Sequence, residues 1–214
     1  MTGLRPIKIP SAKEKVAAEL RKAILSKQMK AGEALTLESV ASQLSVSITP
    51  VREAFQILAR DGLIKLRQNK GAVVLGISET YIKEHYQLRA ILESETAKMA
   101  SEQGKDISAI IESYEISCES IRKNDITNYA NENRDFHNEI WTAAGNSKIK
   151  AMLSDLWNGL SLGNTVSESE YAGISIQEHS KILEAIKEHN AQKAYDEMYR
   201  HIMRSRDDML THYI

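Results

Sequence analysis

Four residues stand at spacings that suit a divalent metal. His137 follows Asn133 by four positions, which puts both on one face of a helix, one turn apart. His179 and His201 are 22 residues apart, placed evenly about Asn190. Two antiparallel helices joined at that asparagine bring them level. Three imidazole nitrogens and one amide oxygen converging inside a helical bundle make a ligand set for zinc, with nickel or manganese as alternatives. On an octahedral ion the remaining positions are open to water or to a carboxylate. Any one of these histidines alone is more simply a core or surface residue; the set of three favours the metal. His85, His189 and His212 fit no such set and are expected at the surface. A second chemistry is carboxylate recognition, for which the guanidinium forks of Arg89 and Arg134 are suited. Both are equally good structural ion-pair residues. Tyr86, Trp141 and Trp157 could line a pocket, although aromatic residues on helices more often pack a core.

These residues need helices to hold them. From Ser78 to the C-terminus the apolar residues recur at helical spacing and no strand pattern appears. Helices are expected over 78–103, 106–123, 125–144, 147–164, 175–189 and 191–211, with 168–173 polar and irregular. That is an antiparallel all-α bundle of about six helices. On the first of them Tyr81, Ile82, Leu88, Ile91, Leu92, Ala97 and Met99 are the apolar positions.

The first part of the chain reads differently. Residues 1–10 read as an arm, and a helix is expected over 11–28, with Ser11 and Glu14 at capping-box spacing. Two short apolar-periodic blocks follow, Leu37 to Leu44 and Val51 to Leu58, separated by Ser45-Val46-Ser47-Ile48-Thr49-Pro50. Pro50 is tolerated in a first helical turn, Ser47 or Thr49 can cap it, and Asp61-Gly62 ends it. This is a helix-turn-helix, whose second helix presents its N-terminal end to base edges and phosphates. Two β-rich runs around Gln68-Asn69-Lys70-Gly71 then form a hairpin. The fold class is therefore mainly α: an N-terminal winged helix-turn-helix with a small β-hairpin over 1–76, and the all-helical bundle over 77–214. Ser47, Ile48, Thr49 and Arg52 on the second helix, with Arg67, Asn69 and Lys70 at the hairpin, are the candidate DNA-binding residues.

Charge agrees with that division. Residues 1–76 hold 13 Lys+Arg against 6 Asp+Glu, or +7, and residues 77–214 hold 15 against 23, or −8, within a total of −1. The basic part has the sign needed to meet a phosphate backbone. The absence of an eighteen-residue apolar run argues against a membrane span, the N-terminus lacks the apolar core of a signal peptide, and Cys118 stands alone. A cytoplasmic protein is expected.

At VSITPVREAFQILARDGLI, followed by Asn69-Lys70-Gly71, the chain resembles the DNA-binding domain of GntR-family transcriptional regulators. The resemblance continues through Leu88-Arg89-Ala90-Ile91-Leu92-Glu93, Asn133-Arg134-Asp135-Phe136-His137, Ala143-Ala144-Gly145-Asn146, Glu178-His179-Ser180-Lys181 and Arg200-His201. These are similar to the FCD-type effector domain of the FadR subfamily, and six helices suggest its VanR-like branch. The resemblance implies a homodimer that binds a pseudo-palindromic operator on double-stranded DNA. It also implies control, as a repressor, by a small metabolite, a carboxylic acid or a relative of one, bound at or near a divalent metal. Arg52 matches the second arginine of the family motif. Ile48 stands where the family usually has arginine, so guanine readout there is replaced by an apolar contact or none. Asn133 stands where the family's metal-binding members have aspartate. The weighed alternatives are a metal-dependent hydrolase of the bundle, with Glu93 as its general base, and a DNA-binding dimer without an effector. An enzyme is not expected, because it would leave the winged helix unexplained.

Overall fold

The computed structural model describes residues 11–25, 27–68, 71–123, 129–160 and 168–213. It divides into two compact units, Met1–Ser78 and Glu79–Ile214.

In the first unit α1 spans Ala12–Leu25. Glu14 accepts a hydrogen bond from the Ser11 backbone N–H at 2.8 Å, one half of a capping box. The helix stops short of the expected residue 28: Lys27 turns the chain with φ 58°. Strand β1, Ala34–Leu35, comes next and leads into α2, Leu37–Gln43, where Thr36 caps the helix by accepting from the Ser39 N–H. Ser45 takes φ 52° at the tight turn, and α3 runs Ile48–Arg60 with Ser47 at its N-cap and Asp61 at its C-cap. Val51, Ala54, Phe55 and Leu58 form its buried face. Arg21 of α1 pairs with Asp61 at 2.5 Å, tying the first helix to the end of the third. Strands β2, Ile64–Arg67, and β3, Gly71–Val74, make the wing hairpin.

The sheet is three-stranded and antiparallel, in the order β1-β3-β2, rather than a lone hairpin. Ala34 pairs with Val73 and Leu35 with Ala72. A two-residue strand is too short to show alternation, so β1 has no signal in the sequence. Gly71 is required where the strands meet. Its φ is 81°, and a Cβ there would stand 2.0 Å from the Leu35 carbonyl oxygen.

The second unit comprises α4 (Glu79–Ala100), α5 (Ser108–Arg122), α6 (Tyr129–Ala144), α7 (Ser147–Leu160), α8 (Glu168–Lys187) and α9 (Ala191–Tyr213). α4 and α9 make the most extensive helix pair. Ala90, Ala97 and Ala100 on α4 and Ala194 on α9 are buried, and residues this small let two backbones approach closely. Phe136, Ile140, Trp141, Leu153 and Ile182 are the large side chains of the core. Among the described residues no helix is long and apolar enough to cross a membrane.

Two expectations are corrected here. α8 begins at Glu168, so the whole stretch expected to be irregular, 168–173, is helix. The buried face of α4 is only partly the one expected: Ile82 and Ala97 are buried, but others of the apolar positions are not. Leu88 and Ile91 are 41% and 48% exposed, while Tyr86, Arg89, Glu93 and Thr96 are buried. Apolarity misleads on α4 because its inward face carries a buried ion pair.

Candidate metal centre and nucleic-acid face

α6, α8 and α9 each turn one histidine into the bundle. His137 and His179 are fully buried and His201 is nearly so. The structure brings these three together, with one nitrogen of each within 4.8 Å of the others. Nε2 of His137 and Nε2 of His201 lie 3.2 Å apart. Asn133 stands one turn before His137 on α6, and its Oδ1 is shielded from solvent without a hydrogen-bond partner.

Two carboxylates orient the rings. Glu93 Oε2 lies 2.6 Å from His137 Nδ1, and Glu178 Oε2 lies 2.7 Å from His201 Nδ1. Each carboxylate is held by an arginine. Arg89 donates to Glu93 at 2.8 Å through Nε, and its guanidinium lies 4.5 Å from the Trp157 ring centroid. Arg204 donates to Glu178 at 2.8 Å through Nη2. Two chains of the same kind, arginine to glutamate to histidine, thus meet at the paired Nε2 atoms.

The electrostatics keep both carboxylates charged. Burial pushes the Glu93 carboxyl up, but Arg89 and the His137 contact outweigh it and hold it at about 2. Burial likewise raises Glu178, and its hydrogen bonds to His201 and Arg204 more than reverse this. Both carboxylates are therefore ionised and only accept, so each Nδ1 is the donor and the two Nε2 atoms are left facing each other. Burial drives the His201 imidazole down to about 4, against the pull of Glu178. Burial, with His201 and His137 beside it, also holds His179 well below its ordinary value. His179 makes no hydrogen bond at either ring nitrogen; it stacks on Phe136 at 4.2 Å.

At 3.2 Å the two Nε2 atoms can be bridged by a ring proton or by a metal cation. Metal–nitrogen bonds of about 2.0–2.1 Å put two ligand nitrogens about 2.9 Å apart at right angles and about 3.3 Å apart in a tetrahedron. The observed separation falls between these. The donor set, the second-shell carboxylates and the orphaned nitrogens of His179 all fit a divalent ion.

The two units match two family models. Residues 12–74 match the model described as bacterial regulatory proteins, gntR family. Residues 84–204 match the FCD domain, over more than half of the chain. This chain belongs to the GntR family of bacterial regulatory proteins. The gluconate operon transcriptional repressor of Bacillus subtilis (strain 168) is 36% identical over 151 residues, which is 68% of this chain and 59% of that protein. The chain thus spans less than two thirds of that relative. The HTH-type transcriptional repressor NanR of Escherichia coli is 26% identical over 223 residues, covering 92% of this chain and 84% of that one. The fold is shared with E. coli McbR/YncC, at a TM-score of 0.73 and 21% identity over 96% of this chain and 100% of that one.

In this GntR-family chain Ser47, Ile48, Thr49 and Arg52 are all exposed at the N-terminal end of α3, and Arg67 is exposed at the end of β2. Asn69 and Lys70 lie outside the described residues. Arg89 is buried and engaged by Glu93, while Arg134 is exposed on α6, outside the buried trio. The pairing of Glu93 with Arg89 and His137 also leaves the hydrolase alternative without a free base, and the relatives are regulators rather than enzymes. His85 is buried rather than on the surface, and His189 bonds the Ser101 carbonyl at 2.9 Å; His212 has no described side chain. The roles of Glu178 and Arg204 are missing from the sequence reading. Their only sequence signal is helical spacing, one turn or less from His179 and His201.

Proposed function

We propose that this chain is a homodimeric, ligand-responsive transcriptional repressor whose helical unit holds a divalent metal, zinc by preference, and a small carboxylate. The observation that carries the proposal is the convergence of His137, His179 and His201, with both ring nitrogens of buried His179 unpartnered, in a chain whose other unit is a gntR-type winged helix. His137, His179, His201 and Asn133 are the proposed ligands. When bound, the ion would supply positive charge and an open position for a carboxylate. Glu93 and Glu178 keep the ring protons on Nδ1, and Arg89 and Arg204 keep the two carboxylates charged and oriented.

In the winged-helix unit, Ser47, Thr49 and Arg52 meet phosphates and base edges, with Ile48 as an apolar contact, and Arg67, Asn69 and Lys70 supply wing contacts. A dimer presents two α3 helices to two half-sites. Ligand controls DNA binding only if it binds the DNA-competent and DNA-incompetent arrangements with different affinity. A protein of this kind works in the cytoplasm.

The test combines metal analysis with mobility shift. Purified protein should carry about one ion per chain, lost in a His137→Ala, His179→Ala double variant. Arg52→Ala should weaken binding to a selected operator by about tenfold or more. A wild-type protein that retards no operator at low salt, or that takes up no ion, is not the regulator proposed.

A further inference from the structure

Helix α3 carries its candidate readers at one end and is tied down at the other. Ser47, Ile48, Thr49 and Arg52 stand exposed at its start, and Asp61 closes it as C-cap. Between them Val51, Ala54, Phe55 and Leu58 bury one face. Apolar burial is non-directional, so it holds the helix on the unit without fixing its tilt. Gly62 follows at once with φ 72°, and a glycine lends little stiffness to the chain leaving the helix.

The directional contact at that end comes from α1. Arg21 is 8% exposed and places Nη2 2.5 Å from Asp61 Oδ2. A guanidinium held on a carboxylate has geometric preference as well as strength. The neighbouring contacts are weaker. Lys13 meets Glu53 at 3.7 Å between half-exposed side chains, where solvent screens the attraction. Exposed Arg60 comes only within 4.0 Å of Asp61. The pair adds little to stability for two reasons. Asp61 stands at the negative end of the α3 dipole, where an acid is disfavoured. Replacing both members of a buried ion pair by neutral groups is also often close to neutral.

Resting on the DNA-binding reading above, we infer that the Arg21–Asp61 pair positions the α3 readers: it sets the angle at which they meet base edges, and so operator discrimination, without touching DNA itself. The helix acts as a lever. Its 13 residues span about 18 Å. Ala54 and Phe55, fully buried near its middle, are the pivot. Asp61 and Ile48 each lie about 10 Å from that pivot, on opposite sides. A slip of about 1 Å at Asp61 therefore returns about 1 Å at the readers, and a base contact of about 2.9 Å becomes about 3.9 Å, which is no longer a hydrogen bond. Attraction to phosphates falls off slowly with distance and tolerates the same shift.

The test uses full-length protein and two labelled duplexes: one that the wild type selects from a random library, and a shuffled duplex of the same length. The double variant Arg21→Met, Asp61→Asn should melt within about 3 °C of the wild type. It should bind the shuffled duplex within about twofold of the wild type and the selected duplex about tenfold more weakly. Asp61→Glu keeps the acid and should keep the discrimination. An unchanged preference in the double variant overturns the inference, as does an Asp61→Glu protein as indiscriminate as the double variant. So does an equal loss on both duplexes with the salt slope reduced by about one, which would make Arg21 a phosphate contact. A midpoint lowered by about 10 °C or more overturns it too, because the pair is then a fold element. In each of these cases discrimination by the wild type leaves the DNA-binding reading standing. A wild type that prefers no duplex removes both.

Discussion

Replacing His179 with leucine should make the chelated protein more stable while ending its response to metal. His179 is fully buried, and neither ring nitrogen has a hydrogen-bond partner. Each buried polar group left unsatisfied costs about 1–3 kcal/mol. Leucine has a similar volume and removes both groups. It also removes the stacking on Phe136 at 4.2 Å, a contact worth about 0.5–1.5 kcal/mol. The net expectation is a gain of about 0.5–5 kcal/mol, or roughly 2–15 °C in the midpoint for a domain of this size. The wild type should behave in the opposite way. Zinc at a hundredfold excess over its dissociation constant adds about 2.7 kcal/mol to the wild type, and none should be added to the variant. Both tryptophans, Trp141 and Trp157, belong to the helical unit, so their fluorescence follows its unfolding without interference from the winged helix. A chelated His179→Leu protein that loses 2 kcal/mol or more, as an ordinary core lesion would, refutes the reasoning. So does a zinc shift equal to that of the wild type.

Asn133→Asp replaces a neutral donor by a carboxylate and should tighten zinc about tenfold or more in a chelator competition; weaker binding would place that side chain off the ion. Ile48→Arg should move a binding-site selection toward guanine, because a guanidinium can bind O6 and N7 together; an unchanged consensus would mean that position 48 does not face the bases. The chelated protein should also lose stability on acidification. His201 has a folded value of about 4, below the ordinary value of about 6.5. Its contribution is therefore complete above pH 6.5 and is lost as the pH falls toward 4. At pH 5 that loss is on the order of 2 kcal/mol. Urea unfolding at pH 7 and pH 5 measures it, and His201→Leu should reduce the difference, with His179 supplying what remains.

The histidines were legible because helical spacing alone relates His137 to Asn133 and sets His179 and His201 about a turn at Asn190. The helix-turn-helix was legible because caps, proline and glycine mark its ends. The environment of the histidines was not. Glu93 and Glu178 are glutamates among many, and only tertiary packing sets them against Nδ1 atoms 44 and 23 residues away in sequence. The same packing overrides apolarity at the middle of α4, where a buried Arg89–Glu93 pair faces inward and Leu88 and Ile91 face out, while Ile82 and Ala97 are buried as expected. Strand β1 was missed because two residues carry no period.

The close approach at Gly71 has a consequence for how such a chain can change its target. The root of the wing rests backbone on backbone against Leu35, with no space for even a methyl group. Leu35 is followed by Thr36, the residue that starts α2. Wing root and helix-turn-helix entry are thus a single joint with no side-chain adjustment. Under the proposed DNA-binding role, new operator preferences are open to the exposed residues at the start of α3 and closed to the root. A library randomised at position 71 should return glycine alone, whereas one randomised at 47, 48, 49 and 52 should return a range of working readers on an unaltered frame.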